Sequence, residues 1–229
     1  MLAVTFALAN ESRDFNRLLG NQQRKIAILH TGVGKKTCQE RIAPFLDGRR
    51  FEFAISSGFA GGVDPSLGVG DLLLADNYSD PALLARAHAS LAAVPDFVEP
   101  GNAPRVIRVA RLVTAARIIE SAAERAAFAR EHNAAAVDME TEWIAQACAD
   151  RKIPLLSLRA ISDTTAAPFP APPSVLFNVA RQRTNPVTLA AYLLTHPGSI
   201  LRLARFAHQI ANARENLAVA LTTLLPFLD

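Results

Sequence analysis

Cysteine is scarce in this chain: Cys38 and Cys148 are the only two among 229 residues. Neither lies in a C-x-x-C motif or a cysteine–histidine cluster, so no zinc site is expected. The two read as small buried thiols of a reduced, cytoplasmic protein. The histidines His30, His88, His132, His196 and His208 show no metal-like spacing either, and no metal or cofactor is expected. Aromatic residues are only 7%, and Lys plus Arg exceed Asp plus Glu by 24 to 21. The arginines are scattered. A nucleic-acid partner, which would need a basic face or a base-stacking platform, is therefore not expected. No uninterrupted apolar run reaches the length of a membrane span. The apolar start Met1–Ala9 lacks a basic leader and is interrupted by Asn10-Glu11, so it reads as a first strand, not a signal peptide.

Hydrophobic residues are plentiful, at 50%, and the length suits one α/β domain with a substantial core. Strand patterns fall at Ala3–Ala9, Lys25–His30, Phe53–Ser57, Leu72–Ala75, Val106–Val113 and Leu155–Ile161. Helical patterns fall after Glu11, after Lys35 through Phe45-Leu46, at Ala122–Glu131 and from about Glu140 to Ala149. Asp80–Pro104 reads as a helix and a loop, and the four prolines of Ala166–Pro173 demand irregular chain. Val187–Leu194 and Ile200–Leu225 read as two helices separated by His196-Pro197-Gly198. Alternating strands and helices, with glycines at strand ends, predict an α/β sheet whose ligands bind beyond the strand ends. No linker divides the chain. A single domain over 1–229 is expected, with a helical extension at about 186–229.

Gly32-Val33-Gly34-Lys35-Lys36-Thr37 lacks the earlier glycine of a phosphate-binding loop, since position 29 is Leu29, and lacks the last glycine of a dinucleotide fingerprint. It reads as a tight strand-to-helix turn. Gly58-Phe59-Ala60-Gly61-Gly62 follows a buried strand, where small residues let a ligand approach backbone N–H groups. Three carboxylates stand at element ends. Asp163 closes an apolar strand, where desolvation would favour its protonated form; Ser162-Asp163-Thr164-Thr165 equally suits a turn. Glu140 could hold sugar hydroxyls or simply favour a helix dipole. Glu11 has the same two readings. Together the three make a plausible site for breaking a glycosidic bond.

Taken in order, Ala7-Leu8-Ala9-Asn10-Glu11, Thr31-Gly32-Val33-Gly34-Lys35, Ser57-Gly58-Phe59-Ala60-Gly61-Gly62, Val69-Gly70-Asp71, Val137-Asp138-Met139-Glu140 and Arg159-Ala160-Ile161-Ser162-Asp163 resemble the purine nucleoside phosphorylase and nucleosidase superfamily. The likeness covers roughly residues 1–165 and is greater to the 5'-methylthioadenosine/S-adenosylhomocysteine nucleosidase branch. The resemblance implies a three-layer α/β/α sandwich around a mixed, partly barrel-like sheet, and a homodimer. It implies Asp163 as the acid that protonates the leaving purine at N7, and Glu11 as the base that activates water. Glu140 would anchor the ribose hydroxyls over an apolar floor of Met139. Phe59, Ala60, Gly61 and Ser162 would line the substrate. Val113–Ile119 lacks the family's Ser-Gly-Asp and its base-stacking aromatic, so Ile118 or Ile119 is expected to cover the purine.

Phosphorolysis by the same fold is the nearest alternative. It would need arginines in the first and third strand-end loops, where only Arg13 stands as a candidate; an anion needs several convergent donors. The tail Pro168–Leu225, with Leu201-Arg202-Leu203-Ala204-Arg205, resembles the C-terminal extension of hopanoid-associated phosphorylase-like proteins, which are linked to removing adenine from an adenosyl lipid. The expectation is therefore a purine nucleoside with a large or apolar 5' substituent. A weak membrane-surface association through the C-terminal helices, and a non-catalytic nucleoside-binding protein, are the other readings.

Overall fold

Strand β8 (Leu155–Asp163) is buried at all nine positions, the signature of a strand covered on both faces. The computed structural model describes residues 1–20, 26–94, 106–178, 182 and 186–228. Its sheet runs β2-β1-β3-β8-β4-β5. Strands β1 (Leu2–Phe6), β2 (Ile26–His30), β3 (Phe53–Gly62) and β8 are parallel neighbours. Strand β4 (Leu72–Ala75) runs antiparallel to β8 and parallel to β5 (Ile107–Ala110). The sheet branches at the end of β3, where Gly61 and Gly62 pair antiparallel with β7 (Ala136–Asp138), which also pairs with β6 (Leu112–Thr114).

Two expectations change here. The strand expected over Phe53–Ser57 does not stop there: Gly58–Gly62 continues it. Its small residues let β8 and β7 approach the same backbone. The single strand expected over Val106–Val113 is two strands, because the chain changes partner at Arg111, leaving β4 for β7. Asn77 holds that switch by bonding both the carbonyl and the N–H of Leu112, at 2.9 and 3.1 Å.

Helices cover both faces. On one, α1 (Arg13–Leu19), α3 (Pro81–Ala92) and the second half of α8 (Ser199–Leu228) bury Phe15, Leu91, Leu217 and Leu221 against Val4, Ile55, Leu74 and Leu158. On the other, α2 (Lys35–Asp47) and α5 (Thr141–Ala149) bury Ile42, Leu46 and Ile144 against Ala3, Ala54 and Leu155. Both cysteines are free and buried in that second cluster. Alternate residues of each strand thus serve opposite layers, as the two-residue period of a strand requires. The fold is the expected α/β sandwich with a mixed sheet.

Helix α4 (Ala122–His132) differs from the others: its one buried residue is Arg125. It starts at Ser121, whose side chain accepts from the Glu124 N–H, and ends at Asn133 in the left-handed conformation. A short helix, α6 (Pro173–Leu176), punctuates the proline-rich segment, and α7 (Pro186–Thr195) follows with no buried residue. The stretch 95–105, expected as loop, lies outside the described residues.

Candidate active site

Beyond the ends of β1, β3, β7 and β8 the chain encloses a cavity of about 240 Å³. Glu11, Phe59, Ala60, Gly61, Ile118, Ile119, Met139, Glu140, Ser162 and Asp163 all line it. Residues as far apart in sequence as Glu11 and Asp163 are brought to one hollow by strand ends and the loops that follow them.

Glu11 follows a turn closed by its own N–H bonding the Leu8 carbonyl at 3.0 Å. Its Oε2 accepts from the N–H groups of Ala7 and Leu8, at 2.8 and 3.2 Å. Gly58 sits opposite. A β-carbon there would stand 3.1 Å from Oε2, and φ of +150° already disfavours any side chain. The carboxyl is 7% exposed as a residue. Burial pushes its pKa up to about 7, against the pull of those N–H donors and of Arg159. A carboxyl poised near neutrality is suited to accept a proton.

Glu140 precedes α5, with Oε1 accepting from the Gly34 N–H at 2.7 Å. The glycine turn 31–34 therefore holds an acid at the cavity wall. Burial, with the neighbouring Asp138 charge, raises the Glu140 pKa to about 8.

Asp163 ends β8 at a shift of register. Ala60 pairs with Ile161, but Gly61 pairs with Asp163, which leaves Ser162 as the extra residue. Bulges of this kind re-aim side chains. The Ser162 hydroxyl donates to Asp163 Oδ1 at 2.7 Å, and Arg125 Nη2 donates to Oδ2 in a fully buried ion pair. Sequence reading missed Arg125 altogether. The available signal was a helix without an apolar stripe, whose inward face then had to be something else.

A second buried pair stands nearby. Arg159 reaches Asp138 Oδ2 from Nε and Nη2, and also meets Ser56, Thr141 and the Leu158 carbonyl. Asp138 further accepts from Thr114 and from the Thr141 N–H.

Arg13 is exposed and absent from the cavity wall, whose arginines among the described residues are Arg117 and Arg125. Arg117 is committed to Glu124 on the outside. Apolar surface comes from Leu8, Met139, Phe169, Phe177 and Ile210, the last on α8. Among the described residues no cluster of three His, Cys, Asp or Glu side chains could hold a metal ion.

Residues 4–195 match the phosphorylase superfamily. The chain belongs to that superfamily. It resembles the nucleosidase branch within it. It is 28% identical over 168 residues to the 5'-methylthioadenosine/S-adenosylhomocysteine nucleosidase of Colwellia psychrerythraea, spanning 63% of this chain and 69% of that one. The Staphylococcus aureus enzyme of the same name is 25% identical over 160 residues, 62% of this chain and 70% of the other. Solved structures agree in fold. The Campylobacter jejuni nucleosidase of that name superposes with a TM-score of 0.69 at 17% identity, covering 98% and 97% of the two chains. Helicobacter pylori futalosine hydrolase gives 0.69 at 14%, with the same coverage. Superfamily membership makes the chain an enzyme that breaks N-glycosidic bonds, by water or by phosphate.

Proposed function

We propose that the protein hydrolyses the N-glycosidic bond of an adenosine-type nucleoside bearing an apolar 5' substituent, releasing adenine. The observation that carries this reading is Glu11: a buried carboxyl near neutral pKa, oriented by two backbone N–H groups, at the wall of a cavity shared with Glu140 and Asp163. In the proposed reaction Glu11 takes a proton from water as the oxygen attacks C1'. Glu140 holds ribose hydroxyls, and Glu11, ionised before it takes the proton, offers negative charge to the oxocarbenium-like sugar. Met139 lies under the sugar, and Ile118 and Ile119 cover the base. Asp163 acts on the departing purine. As a proton donor it would carry its proton on Oδ1, whose partner Ser162 can rotate to accept, because Arg125 at Oδ2 can only donate.

Water is favoured over phosphate because, among the described residues, the wall offers an anion no uncommitted cluster of cations. Arg13 points elsewhere, Arg117 is paired to Glu124, and Arg125 is paired to Asp163. Phe169, Phe177 and Ile210 favour an apolar 5' group over a charged one. Association as a homodimer is part of the same proposal.

The test is Glu11→Gln assayed on a panel of 5'-substituted adenosines. Loss of about 10²–10⁴ in kcat with the fold intact supports the assignment. Full turnover by that variant sinks it, and a wild type that binds the nucleosides without turnover makes the chain a binding protein.

A further inference from the structure

Four of the eight large apolar residues that stand exposed among the described ones fall within positions 187–201, a small part of the chain. They lie on α7 and the first turn of α8, around the turn Thr195–Gly198. Leu194, Ile200 and Leu201 are 85%, 56% and 63% exposed. The turn is tied by the N–H groups of Ser199 and Ile200, which donate to the His196 and Pro197 carbonyls at 2.8 and 3.1 Å. Ser199 itself is buried. The inward side of α8 is anchored as well. Phe206 meets Phe169 edge-on, with ring centres 5.6 Å apart, and Ile210 lines the cavity. The outward aliphatic tips are thus surface left over after the helix has been packed.

Charge is distributed as unevenly as apolar surface. From Thr164 to Arg214 the sequence holds Arg181, Arg183, Arg202, Arg205 and Arg214 but no acidic residue, so all 21 Asp and Glu lie elsewhere. Arg202 and Arg205 are exposed on the first two turns of α8, interleaved with Leu201 and Ala204. Arg202 donates to Ser199 Oγ at 2.8 Å. Among the described residues neither arginine belongs to an ion pair, whereas Arg214 is paired with Asp14. Aliphatic tips flanked by unpaired cations match a surface with negative charge outside and hydrocarbon beneath. Beside the turn, Tyr192 stacks on His196 at 4.3 Å, and a tyrosine ring suits the headgroup level of a bilayer. A second copy of the chain seated on this face would set arginines against arginines. No described helix is long and apolar enough to cross a membrane, so the element would lie in the interface plane.

We propose that the turn between α7 and α8 is a docking element for an anionic lipid bilayer. Leu194, Ile200 and Leu201 enter the boundary between headgroups and acyl chains, and Arg202 and Arg205 meet the lipid phosphates. Three aliphatic side chains and two cations make a weak, reversible anchor. It holds the protein by the same helix that gives Ile210 to the cavity wall. Docking is independent of the nucleosidase reading, because it is measured without substrate.

The test is co-sedimentation of the full chain with vesicles of phosphatidylcholine alone and of phosphatidylcholine mixed with phosphatidylglycerol, at low and high salt. Wild type should bind the mixed vesicles and lose most of that binding at high salt or without phosphatidylglycerol. The double variant Leu194→Glu, Leu201→Glu should bind the mixed vesicles more than about tenfold more weakly. Replacing Arg202 or Arg205 by Gln should cost about fivefold each. Leu18→Glu, at an exposed leucine of α1, should bind as wild type, and all variants should unfold at the wild-type temperature. No binding to the mixed vesicles, equal binding to both lipids, or an equal loss in Leu18→Glu overturns the docking. So does a wild-type dimer in light scattering that the double variant splits, which would assign the face to a second copy of the chain.

Discussion

The two buried arginine–aspartate pairs differ in where they stand relative to the cavity. Arg159 meets three side chains and a carbonyl, and its Asp138 is bonded from Thr114, Thr141 and Arg159. That arginine lies off the cavity wall. In the second pair both Arg125 and Asp163 line the cavity. The first pair ties β3, β7, β8 and α5 together behind the wall; the second, built of the same residue types, stands in the wall itself. Buried charge is costly in both cases. The difference lies in whether the arginine stands behind the cavity wall or in it.

The largest effect should come from breaking the pair behind the wall. Arg159→Met leaves Asp138 buried without its cation, and removing one partner of such a pair costs about 3–5 kcal/mol. Thermal unfolding should show a large fall in Tm or loss of the cooperative transition, whereas Arg125→Lys should keep the transition and lose turnover. Equal loss of stability in the two variants would erase the distinction between them.

Next in size is the pH response of Glu11. Its pKa is raised from 4.5 to about 7, so the native state holds a proton that the unfolded chain releases first. The stabilising contribution is complete below about pH 4.5 and is lost as pH rises through 7. The shift corresponds to something on the order of 3 kcal/mol. Calorimetry from pH 5 to 8 should show wild type losing more Tm than Glu11→Gln. Over the same range wild-type kcat/KM should rise to a plateau with a midpoint near 7, because the base must be ionised. Parallel Tm curves for the two proteins would contradict this account.

Smaller effects test the tail, where two halves of one extension behave differently. The second half of α8 buries Leu217, Leu221 and Leu224 without exposure, and Asn216 donates to the Gly70 carbonyl at 2.8 Å. Helix α7 and the start of α8 expose Leu194 at 85% and Leu201 at 63%. Leu221→Ala should cost about 2–5 kcal/mol, and Leu194→Ala less than about 0.5 kcal/mol, by denaturant titration. The second half of α8 is therefore packed on the sheet, whereas α7 and the start of α8 keep large apolar side chains exposed. A membrane-surface role for the rest is open to liposome co-sedimentation of a Leu194→Glu variant, which should reduce binding if that face meets lipid.

The sequence was legible where periodicity or spacing dictates structure. Leu155–Ile161 reads as a buried strand, and the four prolines of Ala166–Pro173 admit little regular structure. The three carboxylates were readable because each stands at an element end, where a sheet exposes side chains. What stayed hidden depends on partners distant in sequence. Gly58–Gly62 read as a small-residue segment following the strand, but β8 and β7 pair with it and hold it extended. Arg125 carried only the weak signal of a helix without an apolar stripe, since an arginine in an alanine-rich helix reads as solvated. Its role exists only because β3 ends, β8 shifts register and α4 crosses the same corner.

The most direct test is base release from a 5'-alkylthio adenosine in phosphate-free buffer, repeated with phosphate, with the sugar product identified by mass. The account predicts adenine and a free 5-substituted ribose at equal rates in both buffers. Release only with phosphate, yielding a ribose 1-phosphate, would contradict it.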